Sequence, residues 1–124
     1  MVRAMINTLH FAIDLYRHIY GKNSLPPKLN VILTPNLAEC GLCWPTKKGV
    51  MQIRINSTLS DYLILATMFH ELTHAQQFHQ GTLRMTKQGF YWKGKRIKNS
   101  YSRQHWERQA FRRESKLLKV IYND

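Results

Sequence analysis

The sequence has few acidic residues, few cysteines and no long apolar run, and each shortage excludes a class of protein. Only seven of the 124 residues are Asp or Glu, against 19 Lys or Arg, which gives a net charge of +12 at pH 7. No apolar stretch approaches the roughly 18–20 residues that a membrane span needs, so we expect no membrane partner. Residues 1–20 lack the continuous apolar core of a signal peptide, which makes a cytoplasmic location the expectation.

The two cysteines, Cys40 and Cys43, form a single CxxC motif. A zinc ribbon needs a second pair of ligands, which this sequence does not have. A thioredoxin-like redox site would lie at the start of a helix in a βαβ pattern, and the surrounding residues do not show one. We therefore interpret both as ordinary strand or loop cysteines that behave as small hydrophobic residues.

The shortage of carboxylates is most pronounced in the second half of the chain. The segment from Ala75 to Trp106 contains no Asp or Glu. Its cations and aromatic residues are interleaved: Arg84, Lys87, Phe90, Tyr91, Trp92, Lys93, Lys95, Arg96, Lys98, Tyr101 and Arg103. Such a positive field attracts phosphates or acidic surfaces. Two interpretations stay open, a solvated basic face and a nucleic-acid partner bound through Arg84–Arg103 and the C-terminal helix.

The length and the hydrophobic pattern predict one α+β domain that spans residues 1–124. We expect an N-terminal helix, a small and mostly antiparallel sheet, a central helix, a basic hairpin and a C-terminal helix. The predicted elements are a helix over 2–20, extended segments at 29–33, 42–44 and 50–56, a helix from a capping pattern at 58–61 to about residue 80, extended segments at 83–85 and 90–92, and a helix over 102–122.

The central helix carries the sequence His70-Glu71-Leu72-Thr73-His74. Residues four apart project from one face of a helix, so the two imidazoles can bind one zinc ion. Glu71 lies about 100° round the helix from His70, which places its carboxylate beside the metal, in reach of a proton on metal-bound water. Because the flanking residues are apolar, these polar groups would be costly to bury without a ligand. The pattern predicts one zinc ion per chain.

A catalytic zinc site needs a third protein ligand and one open position. His79 is about 140° off the ligand face, and the metzincin pattern would need Gly and His where Gln77 and Gln80 stand. Cys40 and Cys43 would make a closed structural site and leave Glu71 without a role.

The late helix offers better candidates for that ligand. Glu107 is the favoured third ligand, with His105 as an alternative. Glu114, two turns further on, is interpreted as a residue that orients a ligand imidazole or as an ion-pair partner of the basic face.

A HELTH motif, a basic aromatic hairpin and the late sequence Trp106-Glu107-x-x-Ala110 together resemble a minimal zincin metallopeptidase of the gluzincin type. SprT-like and ImmA/IrrE-like proteins of phages and bacteria share this outline. The resemblance covers residues 50–115, and residues 1–49 only in the order of elements. It implies a zincin-like fold in which His70, His74 and Glu107 bind zinc and Glu71 acts as general base and acid. It also implies that the strand over 50–56 is the exposed edge for an extended peptide.

One departure from the family pattern concerns the position four residues after Glu107. Gluzincins usually carry an Asp there that supports the metal ligands, and this chain has Phe111.

These features lead to the hypothesis of zinc-dependent peptide-bond hydrolysis on a protein or peptide substrate, including proteins associated with nucleic acid. Tyr101 or His105 would donate a hydrogen bond to the oxyanion. Two alternatives stay open: a basic nucleic-acid-binding module with a structural zinc site, and a catalytically inactive zincin-like interaction protein.

Overall fold

Three helices and two small sheets follow one another in the predicted order, in the α+β class. The computed structural model describes the backbone of residues 2–98 and 104–122, and the side chains of residues 4–98 and 105–122. The elements are α1 (Val2–Tyr20), β1 (Leu29–Thr34), β2 (Gly41–Pro45), β3 (Met51–Asn56), α2 (Asp61–His79), β4 (Leu83–Thr86), β5 (Gly89–Trp92), β6 (Lys95–Arg96) and α3 (Gln104–Tyr122).

The first sheet has the strand order β1-β3-β2. β1 runs parallel to β3, a pairing that the sequence analysis did not predict, and β2 runs antiparallel to β3. The prediction that residues 50–56 form the exposed edge is therefore wrong, because β3 is the central strand. Its alternating burial arises from the packing of one face against α2. In the described part of the chain, β2 has an unpaired edge and also contacts α2.

α2 begins two residues later than the capping pattern predicts. The side chain of Asn56 accepts hydrogen bonds from both the backbone N–H and the hydroxyl of Thr58, at 3.0 and 2.6 Å. This local turn occupies Thr58, so Ser60 caps the helix instead and accepts from the N–H of Leu63. At the other end, Gly81 has φ +76° and terminates the helix as predicted.

α2 is buried along most of its length, because the first sheet, α1 and α3 all contact it. The fully buried core includes Tyr16 of α1, Ile53 and Ile55 of β3, Phe69 and Leu72 of α2, and Leu117 of α3. Polar residues of α2 are buried alongside these apolar ones, including Glu71, His74 and Gln77. A helix enclosed in this way must satisfy its polar side chains through neighbouring elements.

The second sheet, β4-β5-β6, is antiparallel and corresponds to the predicted basic hairpin. Two residues, Lys93 and Gly94, connect β5 to β6, and both have positive φ, 50° and 83°. That combination is the type I′ hairpin turn, whose twist matches the twist of paired strands. None of the helices in the described ranges is long and apolar enough to cross a bilayer.

Candidate metal centre

Two helices bring their polar side chains together where α2 and α3 pack side by side. One carboxylate oxygen of Glu107, Oε1, lies 2.9 Å from Nε2 of His70 and 3.1 Å from Nε2 of His74. The potential ligand atoms of these three residues lie within 4.8 Å of one another. A tetrahedral ion with bonds of about 2.0–2.1 Å needs ligand atoms about 3.3 Å apart, so small shifts would fit this group to a metal.

The other ring nitrogen of each histidine faces an acceptor. Nδ1 of His70 lies 3.2 Å from Oε1 of Glu114, and Nδ1 of His74 lies 2.8 Å from Oε1 of Gln77. The amide orientation of Gln77 is fixed, since its Nε2 donates to the carbonyl oxygen of Trp106 at 3.1 Å and to Oε1 of Gln109 at 2.8 Å. Oxygens that only accept require a proton on each Nδ1.

A proton on each Nδ1 leaves the Nε2 lone pairs of His70 and His74 for a metal, and the two Nε2 atoms converge on Glu107. Metal-binding histidines typically donate their second N–H to a carboxylate or carbonyl oxygen in this manner. Two imidazole nitrogens and one carboxylate oxygen thus form a preorganised donor set that could hold a divalent metal ion.

In the metal-free protein the same three groups form a hydrogen-bonded ion pair. Burial lowers the pKa of His70, but hydrogen bonds to Glu107 and Glu114 outweigh it and raise the pKa to about 9. Burial raises the pKa of Glu107, yet the hydrogen bonds from His70 and His74 dominate and lower it to about 2. A proton on Nε2 of His70 takes the place that a metal ion would need, so protons would compete with a metal for this site.

Glu71 lies outside the ligand group and lines the same cavity, as the sequence predicts. Burial raises the pKa of its carboxyl group, and the neighbouring His74 and His70 partly offset that effect. β2 passes directly over this side chain at Gly41. A Cβ atom built at Gly41 would stand 2.6 Å from Cγ2 of Thr67 and 3.0 Å from Oε2 of Glu71. The absence of a side chain at Gly41 therefore allows β2 to approach α2 at the level of Glu71.

A cavity of about 280 Å³ opens in front of the three converging residues. β2 forms one wall with Gly41, Leu42 and Cys43, and the second sheet contributes Leu83, Met85 and Phe90. The side chain of Glu107 is 43% exposed, so the centre faces this opening and is not enclosed by protein.

The structure separates the other sequence candidates from this group. His105 is exposed and lines a different cavity, and His79 is exposed at the end of α2. Cys43 lines the front cavity, where burial raises its pKa, but neither cysteine joins the ligand group found in the described part of the chain. Tyr101, the predicted oxyanion donor, lies outside the described residues.

Phe111, which stands where the gluzincin pattern has Asp, and Glu114 both contact His70. The ring of Phe111 packs edge-on against the ring of His70, with centroids 4.6 Å apart. The carboxylate that contacts His70 comes instead from Glu114, one helical turn later than the family position. Of the two sequence interpretations of Glu114, the contact with an imidazole is the one observed.

Sequence reasoning missed Gln77 and Gly41. Gln77 was considered only as a mismatch to the metzincin pattern, although a glutamine at i+3 from His74 lies on a neighbouring face of the same helix. Gly41 follows Cys40 inside the CxxC motif, and no sequence signal indicated its position beside Glu71. No protein-family model matches the chain, and neither a curated protein nor a solved structure is significantly similar to it.

Proposed function

We propose that the protein is a zinc-dependent peptidase that hydrolyses peptide bonds of extended protein segments. The observation that carries this proposal is the convergence of both Nε2 atoms on Glu107 while acceptors hold both Nδ1 atoms. His70, His74 and Glu107 would hold the ion, one per chain. When bound, zinc would supply an activated water and polarise the scissile carbonyl.

Glu71 is the proposed general base and acid. Its carboxylate lines the cavity next to both histidines without belonging to the ligand group, which is the position that a proton carrier needs. Burial raises its pKa and so makes the carboxylate a stronger base than an exposed one. The backbone of β2 passes close to this side chain at Gly41.

The proposed substrate path runs along β2 and replaces the path along β3 that the sequence suggested. An extended peptide that adds to the edge of the sheet would form backbone hydrogen bonds with β2 and pass the mouth of the cavity. Leu42, Leu83 and Met85 would contact its side chains. Such a surface favours unfolded or flexible segments, because a folded substrate presents few free backbone groups.

The exposure of Glu107 favours a catalytic centre over a purely structural one. Structural zinc sites are closed by four protein ligands, whereas catalytic sites have three and keep one position open. Only His70, His74 and Glu107 form such a group within the described ranges, and they border an open cavity. The same geometry supports a peptidase better than an inactive interaction protein. Burying the carboxylate of Glu71 beside the centre is costly, and a role in proton transfer would account for that cost.

The decisive experiment compares Glu71→Gln with the wild type on an unfolded protein substrate, with zinc content measured on the same samples. We expect Glu71→Gln to retain one zinc per chain and to lose cleavage by at least a factor of about 100. Asp14→Asn is the matched control, because Asp14 is exposed on α1 and the change in charge is identical. Full cleavage by Glu71→Gln, or a wild type that binds no zinc, would disprove the proposal.

A further inference from the structure

A second cavity, of about 250 Å³, lies on the other side of the contact between α2 and α3. Four Lys or Arg residues line it, together with glutamines and one tryptophan, and no carboxylate does. The cations are Lys93, Arg108, Arg112 and Arg113. Gln77, which holds His74 on the metal side, forms part of the wall between the two cavities.

Arg113 is a half-buried cation whose observed partners are all neutral. Its Nη1 donates to the hydroxyl of Tyr16 at 2.8 Å and to Oε1 of Gln76, and its guanidinium lies 4.2 Å from the ring centroid of Tyr20. All ion pairs between described residues involve His70 or His74. In this part of the chain, Arg112 and Arg113 thus have no carboxylate counter-ion. The positive charge of these two guanidinium groups attracts an anion.

Lys93 stands at a position where the turn itself does not favour lysine. A type I′ turn needs positive φ at both central residues, for which Asn, Asp or Gly is preferred. Lys93 has φ 50°, a conformation that costs a long side chain some backbone strain, and its N–H donates to the carbonyl of Thr82 at 2.8 Å. The turn places its ammonium group 5.8 Å from the ring centroid of Trp92, at the edge of this cavity.

We propose that this cavity binds a phosphate group, either free or in a nucleic-acid backbone. Guanidinium groups bind phosphate oxygens through paired N–H donors, and Lys93 adds a point charge from the turn between β5 and β6. The volume is sufficient for a phosphate group, and in a bound strand Trp92 would lie beside the adjoining base. The phosphate site does not depend on the proposed hydrolysis, because it shares none of the metal-binding side chains.

The test measures binding of a fluorescent single-stranded oligo(dT) to the full chain by anisotropy at low salt. We expect Arg112→Gln and Lys93→Gln each to weaken binding roughly tenfold and to lower the salt dependence by about one ion. Lys119→Gln is the matched control, since Lys119 is exposed on α3, lies outside the cavity and loses the same charge. We expect it to change the affinity less than about twofold.

Inorganic phosphate, added at constant ionic strength, distinguishes the two sources. Displacement of the oligonucleotide by millimolar phosphate, with the same sensitivity to Arg112→Gln, assigns the site to a free phosphate. Binding that phosphate does not displace assigns it to the strand. Equal losses in Arg112→Gln and Lys119→Gln would show that only overall charge matters and would overturn the proposal. So would the absence of binding by both probes.

Discussion

Glu114 Oε1 lies 3.2 Å from Nδ1 of His70, while Nε2 of the same ring points to Glu107. The two carboxylates come from one helix, seven residues apart, and contact opposite sides of one imidazole. Glu107 is thereby the candidate ligand, and Glu114 fixes the orientation and the tautomer of His70.

Replacing Glu114 by Ala should lower the zinc affinity by about 10- to 100-fold, because His70 loses the acceptor that orients it. The affinity is measured by competition with a chromophoric chelator. Ser115→Ala is the control, since Ser115 is exposed next to Glu114 on α3. Unchanged affinity in Glu114→Ala would show that His70 is held by other contacts, among them the ring of Phe111.

Replacing Gln77 by Met should affect both stability and metal binding. Met keeps the length of the side chain but leaves Nδ1 of His74 and the carbonyl of Trp106 without their partner. A buried polar group left unpaired costs about 1–3 kcal/mol. Urea unfolding in the presence of a chelator would detect this loss of stability. Gln80→Met, at the exposed C-terminal end of α2, should leave the unfolding free energy and the zinc affinity close to those of the wild type.

Replacing Gly41 by Ala should disturb Glu71 directly. The added methyl group meets Cγ2 of Thr67 and Oε2 of Glu71, so β2 or Glu71 must move. Overpacking of this kind costs about 1–3 kcal/mol, and we expect cleavage to fall more than zinc content. Adding Thr67→Ser removes Cγ2 and should restore part of the unfolding free energy. If Gly41→Ala alone keeps wild-type stability and cleavage, the close approach of β2 is not required.

The pH dependence of the metal-free protein follows from the shifted pKa values of His70 and Glu107. The raised pKa of His70 stabilises the fold fully below about pH 6.5, and this contribution is lost as the pH rises through about 9. The lowered pKa of Glu107 stabilises it above about pH 4.5, and that contribution is lost as the pH falls through about 2. The ion pair should therefore contribute most between about pH 4.5 and 6.5.

Urea unfolding with a chelator present, at pH 5.5 and pH 9.5, measures this dependence. Glu107→Gln should show a smaller loss of stability between the two values than the wild type does. Zinc affinity should change in the opposite direction and increase with pH up to about 9, because the metal displaces the proton from His70. Zinc affinity that is independent of pH over this range would contradict the geometry of the site.

Local patterns were sufficient to predict the helices and the common face of His70 and His74. The spacing of His70 and His74 fixes their common face before any tertiary structure is known, and Gly81 ends α2 as its lack of a side chain allows. Glu107 could also be predicted from the sequence, because there is no other carboxylate between Ala75 and Glu114 that could reach this centre.

Features that depend on contacts between distant elements could not be predicted from the sequence. The alternation in β3 shows that one face is buried, but it does not reveal whether the strand has one neighbour or two. The role of Gln77 depends on the position of the Trp106 carbonyl, which only the packing of α3 on α2 determines. One local feature was also predicted wrongly: Ser60 caps α2 in place of Thr58, because Asn56 accepts the hydrogen bond of the Thr58 hydroxyl.

The candidate ligands belong to two helices that are far apart along the chain, since Glu107 follows His74 by 33 positions. A bound ion would thus act as a removable crosslink that closes a loop containing the whole basic hairpin. Chelation should release the start of α3 and speed amide hydrogen exchange there, while the sheet side of α2 keeps its protection. Occupancy by zinc would in this way determine how firmly the hairpin is anchored to the rest of the protein.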